Sequence, residues 1–154
     1  MREAVGGGFL FNLVIFIVGM LLLFFVGGLA FSKAFKAKNT IIEYIEDGSF
    51  TTRVQYQNSN EKKEIDQALK TMGYQTNLGL NPCKNISGHT TLYNGTGGYK
   101  YCIYMKEDNR NPDGTPTYHY KVVTYMRFDL PLVGQYLQFP VHGETKVLGK
   151  NYDY

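Results

Sequence analysis

Two cysteines and three histidines are the side chains here with the most chemistry open to them at neutral pH, and their spacing limits what they can do. Cys83, Cys102 and His89 amount to three zinc ligands at irregular spacing, one short of a closed tetrahedral site. A disulfide would use two of the three. A thiol nucleophile would need Cys83 or Cys102 beside His119 or His142, and no local signature supports that pairing. Glu107-Asp108 stands at the edge of a turn and Asp66 on a helix face, where solvated charge is the simpler account. Gly6-Gly7-Gly8 precedes an apolar run instead of following a strand, so it is no phosphate-binding loop. We therefore assign no catalytic residue, metal or cofactor, and read the chain as non-enzymatic. A tyrosine cluster at Tyr99, Tyr101 and Tyr125 is the remaining candidate surface for a partner or glycan. The net charge of +3 is small, and no run of five basic residues occurs, which argues against nucleic acid.

The elements that must position these residues begin with Phe9 to Phe31, 23 residues with no charge and one amide, Asn12. As a helix this run rises about 35 Å, more than the roughly 30 Å of a bilayer core. A membrane span is the expectation. A cleaved secretory signal is the alternative, since Gly28-Leu29-Ala30 offers small residues, but its apolar region would run only about 7–15 residues. Asn12 either sits hydrated near the headgroups or bonds a neighbouring helix. Gly19, Gly27 and Gly28 would permit close helix approach, although no GxxxG occurs.

No Pro or Gly interrupts Leu29 to Asp47, and Phe31, Phe35, Ile42 and Ile45 recur as one stripe with Lys38 in the gap. One rod from about Phe9 to Glu46 is predicted, stopped at Gly48, with the stripe under a soluble domain. Asn60 to Met72 reads as a short helix burying Ile65, Ala68, Leu69 and Met72, capped by Asn60 and ended by Gly73. Thr76 to Gly98 reads as a polar surface loop. Its Asn85-Ile86-Ser87 and Asn94-Gly95-Thr96 fit glycan acceptors in form but are simplest as loop polarity. Strands follow at Tyr99 to Met105, Tyr118 to Asp129 and Phe139 to Leu148, with the turn Asn109 to Pro116 and the connection Leu130 to Leu137 between them. The second has Tyr118, Tyr120, Val122, Thr124, Met126 and Phe128 facing inward. The third has Phe139, Val141, Thr145 and Val147 on one face.

The expected fold is α+β, a long amino-terminal transmembrane helix continuing into a small domain with a three- to four-stranded antiparallel sheet. Its divisions are 1–8, a leader-like segment; 9–31, the transmembrane helix; and 32–154, an α+β domain packed on the helix extension 32–46. Two signals conflict over orientation. Lys33, Lys36 and Lys38 after the span favour a cytoplasmic domain by the positive-inside bias. The pair Cys83 and Cys102, which would form one disulfide in an oxidising space, favours an extracytoplasmic one, and that is the placement expected here.

This layout resembles the TadE-like minor pilins, or pseudopilins, of tight-adherence systems. The likeness is carried by Phe31-Ser32-Lys33-Ala34-Phe35-Lys36-Ala37-Lys38-Asn39 at the exit of the span and by the acidic rod end Glu43 to Gly48. It is also carried by the tail Tyr120-Lys121-Val122-Val123-Thr124-Tyr125-Met126-Arg127-Phe128-Asp129-Leu130-Pro131, continuing to Phe139-Pro140-Val141-His142-Gly143-Glu144-Thr145-Lys146. Gly8-Phe9 looks like a prepilin-peptidase junction. The fifth residue after it is Leu13, where such families usually carry Glu. The resemblance implies a structural or assembly role in a bacterial envelope, with the lipid bilayer and other pilin-like subunits as partners. Homo- or hetero-oligomers would form through the span. Phe9, Phe16 and Leu23 at heptad spacing, with Asn12 and Gly19, are the expected packing positions, or else they face lipid. A membrane-tethered extracytoplasmic binding domain with no filament role is the alternative.

Overall fold

A computed structural model of the chain describes residues 2–48, 50–76, 83–110, 114–127 and 138–149. One helix, α1 (Arg2–Gly48), runs without a break through the apolar segment and beyond it. Its 47 residues correspond to about 70 Å of helix rise. It takes in the leader-like residues before Phe9 and ends at the expected stop. Two short helices follow, α2 (Arg53–Gln57) and α3 (Asn60–Thr71). Their caps are Thr52 and Ser59, whose hydroxyls accept from the amides of Gln55 and Lys62. Asn60 is therefore the first helical residue of α3 and not its cap. Ile65 and Leu69 are buried, while Ala68 and Met72 lie half-buried.

The strands are β1 (Thr90–Tyr93), β2 (Tyr101–Arg110), β3 (Pro116–Arg127), β4 (Gln138–Glu144) and β5 (Leu148–Gly149). They form one antiparallel sheet in the order β1-β2-β3-β4, with β5 pairing the start of β3. The fold is α+β, a long apolar helix followed by an open antiparallel sheet.

Three expectations about the strands need correction. β1 lies inside the stretch read as surface loop. A register shift between Thr91 and Tyr93 puts both Leu92 and Tyr93 into the core, so this strand shows no alternation in sequence. The third strand splits into β4 and β5. Thr145 leaves the ladder between them and exchanges bonds with Tyr120, its Oγ1 accepting from the Tyr120 amide and its own amide donating to the Tyr120 carbonyl, each at 2.9 Å. Phe139 and Val147, expected to share one face with Val141 and Thr145, are exposed, because only the middle of this edge, around Gly143, reaches the helix. Phe128, Asp129 and the connection Leu130 to Leu137 lie outside the described residues.

The core forms between α1, α2, α3 and one sheet face. Ala34, Ala37, Ile41 and Ile45 of α1 meet Tyr120 and Val122 of β3, with Ile103 of β2 in the same cluster. This corrects the predicted stripe. Ile45 is buried and Ile42 half-buried, but Phe31 and Phe35 are 51% and 43% exposed. The observed face is turned by roughly 80° about the helix axis, at about 100° per residue. The reason is closeness: the Thr124 hydroxyl donates to the Ala34 carbonyl at 2.9 Å, and only a small side chain lets a strand approach that near. Phe35 instead lies under the Lys38 ammonium, 4.0 Å from its ring centroid. Gly143 of β4 serves the same seam, because a Cβ there would come within 2.8 Å of Ile42 Cδ1.

Tyrosines fill much of the remaining core. The Tyr56 and Tyr101 hydroxyls bond each other at 2.8 Å, and Tyr93 packs its ring 4.3 Å from that of Tyr101. Tyr120 donates to the Phe50 carbonyl at 2.8 Å. Tyr101 is fully buried, so the exposed cluster of Tyr99, Tyr101 and Tyr125 does not exist, and Tyr99 and Tyr125 are half-buried. Burial drives the Tyr101 phenol well above its ordinary range, and Tyr56 likewise.

Candidate membrane anchor and juxtamembrane cleft

From Gly7 to Phe25 every residue of α1 is exposed among the described residues. Phe9, Phe16 and Leu23 are 69%, 67% and 52% exposed, and the residues between them are similar. Asn12 and Gly19 are exposed too, and a Cβ on Gly19 would meet nothing within 4 Å. The five expected packing positions are thus left exposed among the described residues. Gly8 and Phe9, the expected processing junction, sit within the same exposed helix. Burying one large apolar side chain is worth about 1.5–3 kcal/mol, so a column of them bare in water is strongly unfavourable. The run contains no charge and is long enough to span a bilayer, as a single-pass anchor requires.

Cys83 and Cys102 are joined in a disulfide across 19 residues, with Cα atoms 5.7 Å apart. The bond lies on the sheet face turned away from α1. There Cys102, Tyr104 and Val123 are buried under Cys83 and Ile86, with Tyr125 alongside. The disulfide therefore pins the Cys83 to Gly88 segment over the outer face and gives the sheet a second, smaller core. His119 sits 3.2 Å from Asp108 Oδ2, and its ring meets that of His89 edge-on. His142 is exposed on β4, in the same cross-strand row as Cys102 but separated from it by Val123 of β3, and Cys102 is held in the disulfide. Asp66 pairs with Lys62 at 2.6 Å along α3. Among the described residues no three His, Cys, Asp or Glu side chains gather as metal ligands.

Sequence reasoning passed over one feature. Where α1 leaves its exposed half, a cleft of about 280 Å³ opens between the helix, the end of α3 and the end of β3. Val26, Leu29 and Ala30 line its lower side, and Ser32 and Lys33 its upper side. The opposite wall is Gly73, Tyr74 and Gln75, with Tyr125 and Arg127 beyond. Gly73 takes φ +63°, the left-handed turn that ends α3 and sends the chain back toward the sheet. The Tyr74 hydroxyl donates to the Lys100 carbonyl at 2.7 Å and accepts from the Tyr125 amide at 2.8 Å. Gln75 donates to the Tyr125 carbonyl at 2.8 Å. Burial pushes the Tyr74 phenol up to about 12. Lys100 is buried behind Tyr125, bonds Gln138, and has its amine pulled below the usual lysine value by burial and then by the charge of Arg127. The sequence signal was present only as a change of character at Phe31-Ser32-Lys33. Its other walls come from residues about 40 and 90 positions later, which no local pattern connects.

No family model, no curated protein and no solved structure matches the chain.

Proposed function

We propose that the chain is a single-pass, pilin-like structural or assembly component of a bacterial cell envelope, its head domain extracytoplasmic and carried on a continuous helical column. The observation that carries this reading is α1 itself. One unbroken helix has an apolar part left uncovered among the described residues and a second part roofed by an antiparallel sheet. That division suits an element whose first half packs among lipids and neighbouring spans while its second half displays a folded head. The disulfide supports the outward orientation, because such bonds persist in oxidising compartments. The three lysines after the span pull the other way, and they are read here as contacts to headgroups or to the head domain.

Leu13 favours a second reading, since Glu is usual there in prepilin-like chains. That reading is a tethered extracytoplasmic binding domain whose span has no neighbours. Site-specific photocrosslinking from Phe16 in intact cells separates the two. The assembly reading expects adducts with a second copy or another single-span protein. Adducts confined to lipid leave only the tether. A membrane-impermeant reagent that reaches Lys84 only after lysis would sink the outward orientation for both.

A further inference from the structure

We propose that the cleft beside Lys33 holds the phosphate-bearing headgroup of an anionic phospholipid from the leaflet on the head-domain side. The inference rests on the anchor reading above. Its first support is position. The cleft spans the turns of α1 in which the apolar run gives way to Ser32 and Lys33, so its apolar side faces the hydrocarbon and its polar side faces the headgroup layer. Its second support is charge. Lys33 and Arg127 both line it, and no Asp or Glu does so among the described residues.

A competing account makes Lys33 a partner for the carbonyl end of α3, since a Cβ on Gly73 would lie 4.0 Å from its ammonium. That end carries only about half a negative charge, against the full charge of Lys33, so the Lys33 side of the cleft stays positive. The Lys33 ammonium lies near the α3 terminus without being neutralised by it. Lys33 has no ion-pair partner among the described residues, whereas Arg127 keeps another contact as well. Lys33 is therefore the residue to test.

Size is the third support. At about 280 Å³ the cleft falls just below the roughly 300–1,000 Å³ of sites that enclose whole small ligands. A phosphate with its glycerol fits that scale, while the acyl chains would lie outside along Val26 and Leu29, where the helix is apolar. A soluble anion would gain nothing from that apolar side.

The experiment reconstitutes the full chain in phosphatidylcholine vesicles with a minor fraction of spin-labelled phosphatidylglycerol, and reads the protein-restricted lipid signal against spin-labelled phosphatidylcholine. The wild type is expected to select the anionic lipid. K33Q should weaken that selection about fivefold, the scale of one basic residue at an anionic surface. K36Q, whose side chain does not line the cleft, should change it far less. S32E, which sets a carboxylate at the mouth without touching the core, should match K33Q and stands in should K33Q unfold. Equal losses in K33Q and K36Q would mean diffuse surface charge and overturn the proposal. So would no selection by the wild type, or its loss to inorganic phosphate at constant ionic strength, which would mark a soluble-anion site. Failure of the chain to float with vesicles would sink the anchor reading itself. Flotation without selection would sink only the cleft.

Discussion

Replacing Ile41 by Ala tests which face of α1 carries the fold. Ile41 is fully buried between the helix and the sheet, beside Ala37 and Ile45. The substitution removes three carbons, about 2.4 kcal/mol at roughly 0.8 kcal/mol per methylene. Incomplete collapse of the cavity brings the cost to about 2–5 kcal/mol. Phe35→Ala is the matched control. Its ring is larger, but it is 43% exposed and rests mainly against Lys38 and Phe31, so its loss should cost less than about 1 kcal/mol. For a domain of this size each kcal/mol moves Tm by about 4 °C or more, so a gap of at least about 1 kcal/mol should put I41A at least about 4 °C below F35A. The assay is thermal unfolding of the full chain in detergent micelles, followed by near-ultraviolet circular dichroism of the tyrosines, which are abundant while tryptophan is absent. Micelles keep the apolar half of α1 helical, so the signal reports the head. The reasoning is refuted if F35A melts below I41A, which would return the core to the stripe expected from periodicity.

Other outcomes follow from the same contacts. Tyr56→Phe should cost about 1–3 kcal/mol, because it strands the buried Tyr101 hydroxyl, and the Y56F/Y101F double variant should lose less than the sum of the two singles in urea titrations. Alkaline pH should unfold the head. Burial raises Tyr74, Tyr93, Tyr120 and Tyr125 from 10.0 to about 12, so the native state keeps phenolic protons that the unfolded chain has already lost. Stability is then full below about pH 10 and falls as pH rises from 10 toward 12. Lys100, shifted downward, opposes this with a single group, and a melt series across that range checks the sign. Reducing Cys83–Cys102 should cost about 3 kcal/mol on the loop-entropy account. Hydrogen exchange should then show loosening near Ile86 and β1 while the amides of α1 around Ile41 stay protected.

Much of the architecture was legible in one dimension because it rests on local rules. A charge-free run of 23 residues specifies an apolar helix through its length, and the lack of Pro and Gly from Leu29 to Asp47 carries that helix onward. Alternation in Tyr120, Val122 and Thr124 marked the central strand, and the two cysteines paired as their number suggested. Where the reading failed, distance between backbones decided. Periodicity ranks Phe31 and Phe35 above Ala34 and Ala37 because they are larger and more apolar. The seam needed small residues, because Thr124 reaches the Ala34 carbonyl. Likewise a tyrosine-rich core looks like a polar surface until each hydroxyl is given its partner. The Tyr56–Tyr101 pair links residues 45 positions apart. Composition and periodicity by themselves determined that this chain builds a long apolar column followed by an antiparallel sheet. Only the tertiary structure decided which side of the column meets the sheet and where a cationic cleft opens at its exit, because both depend on how closely distant segments can approach.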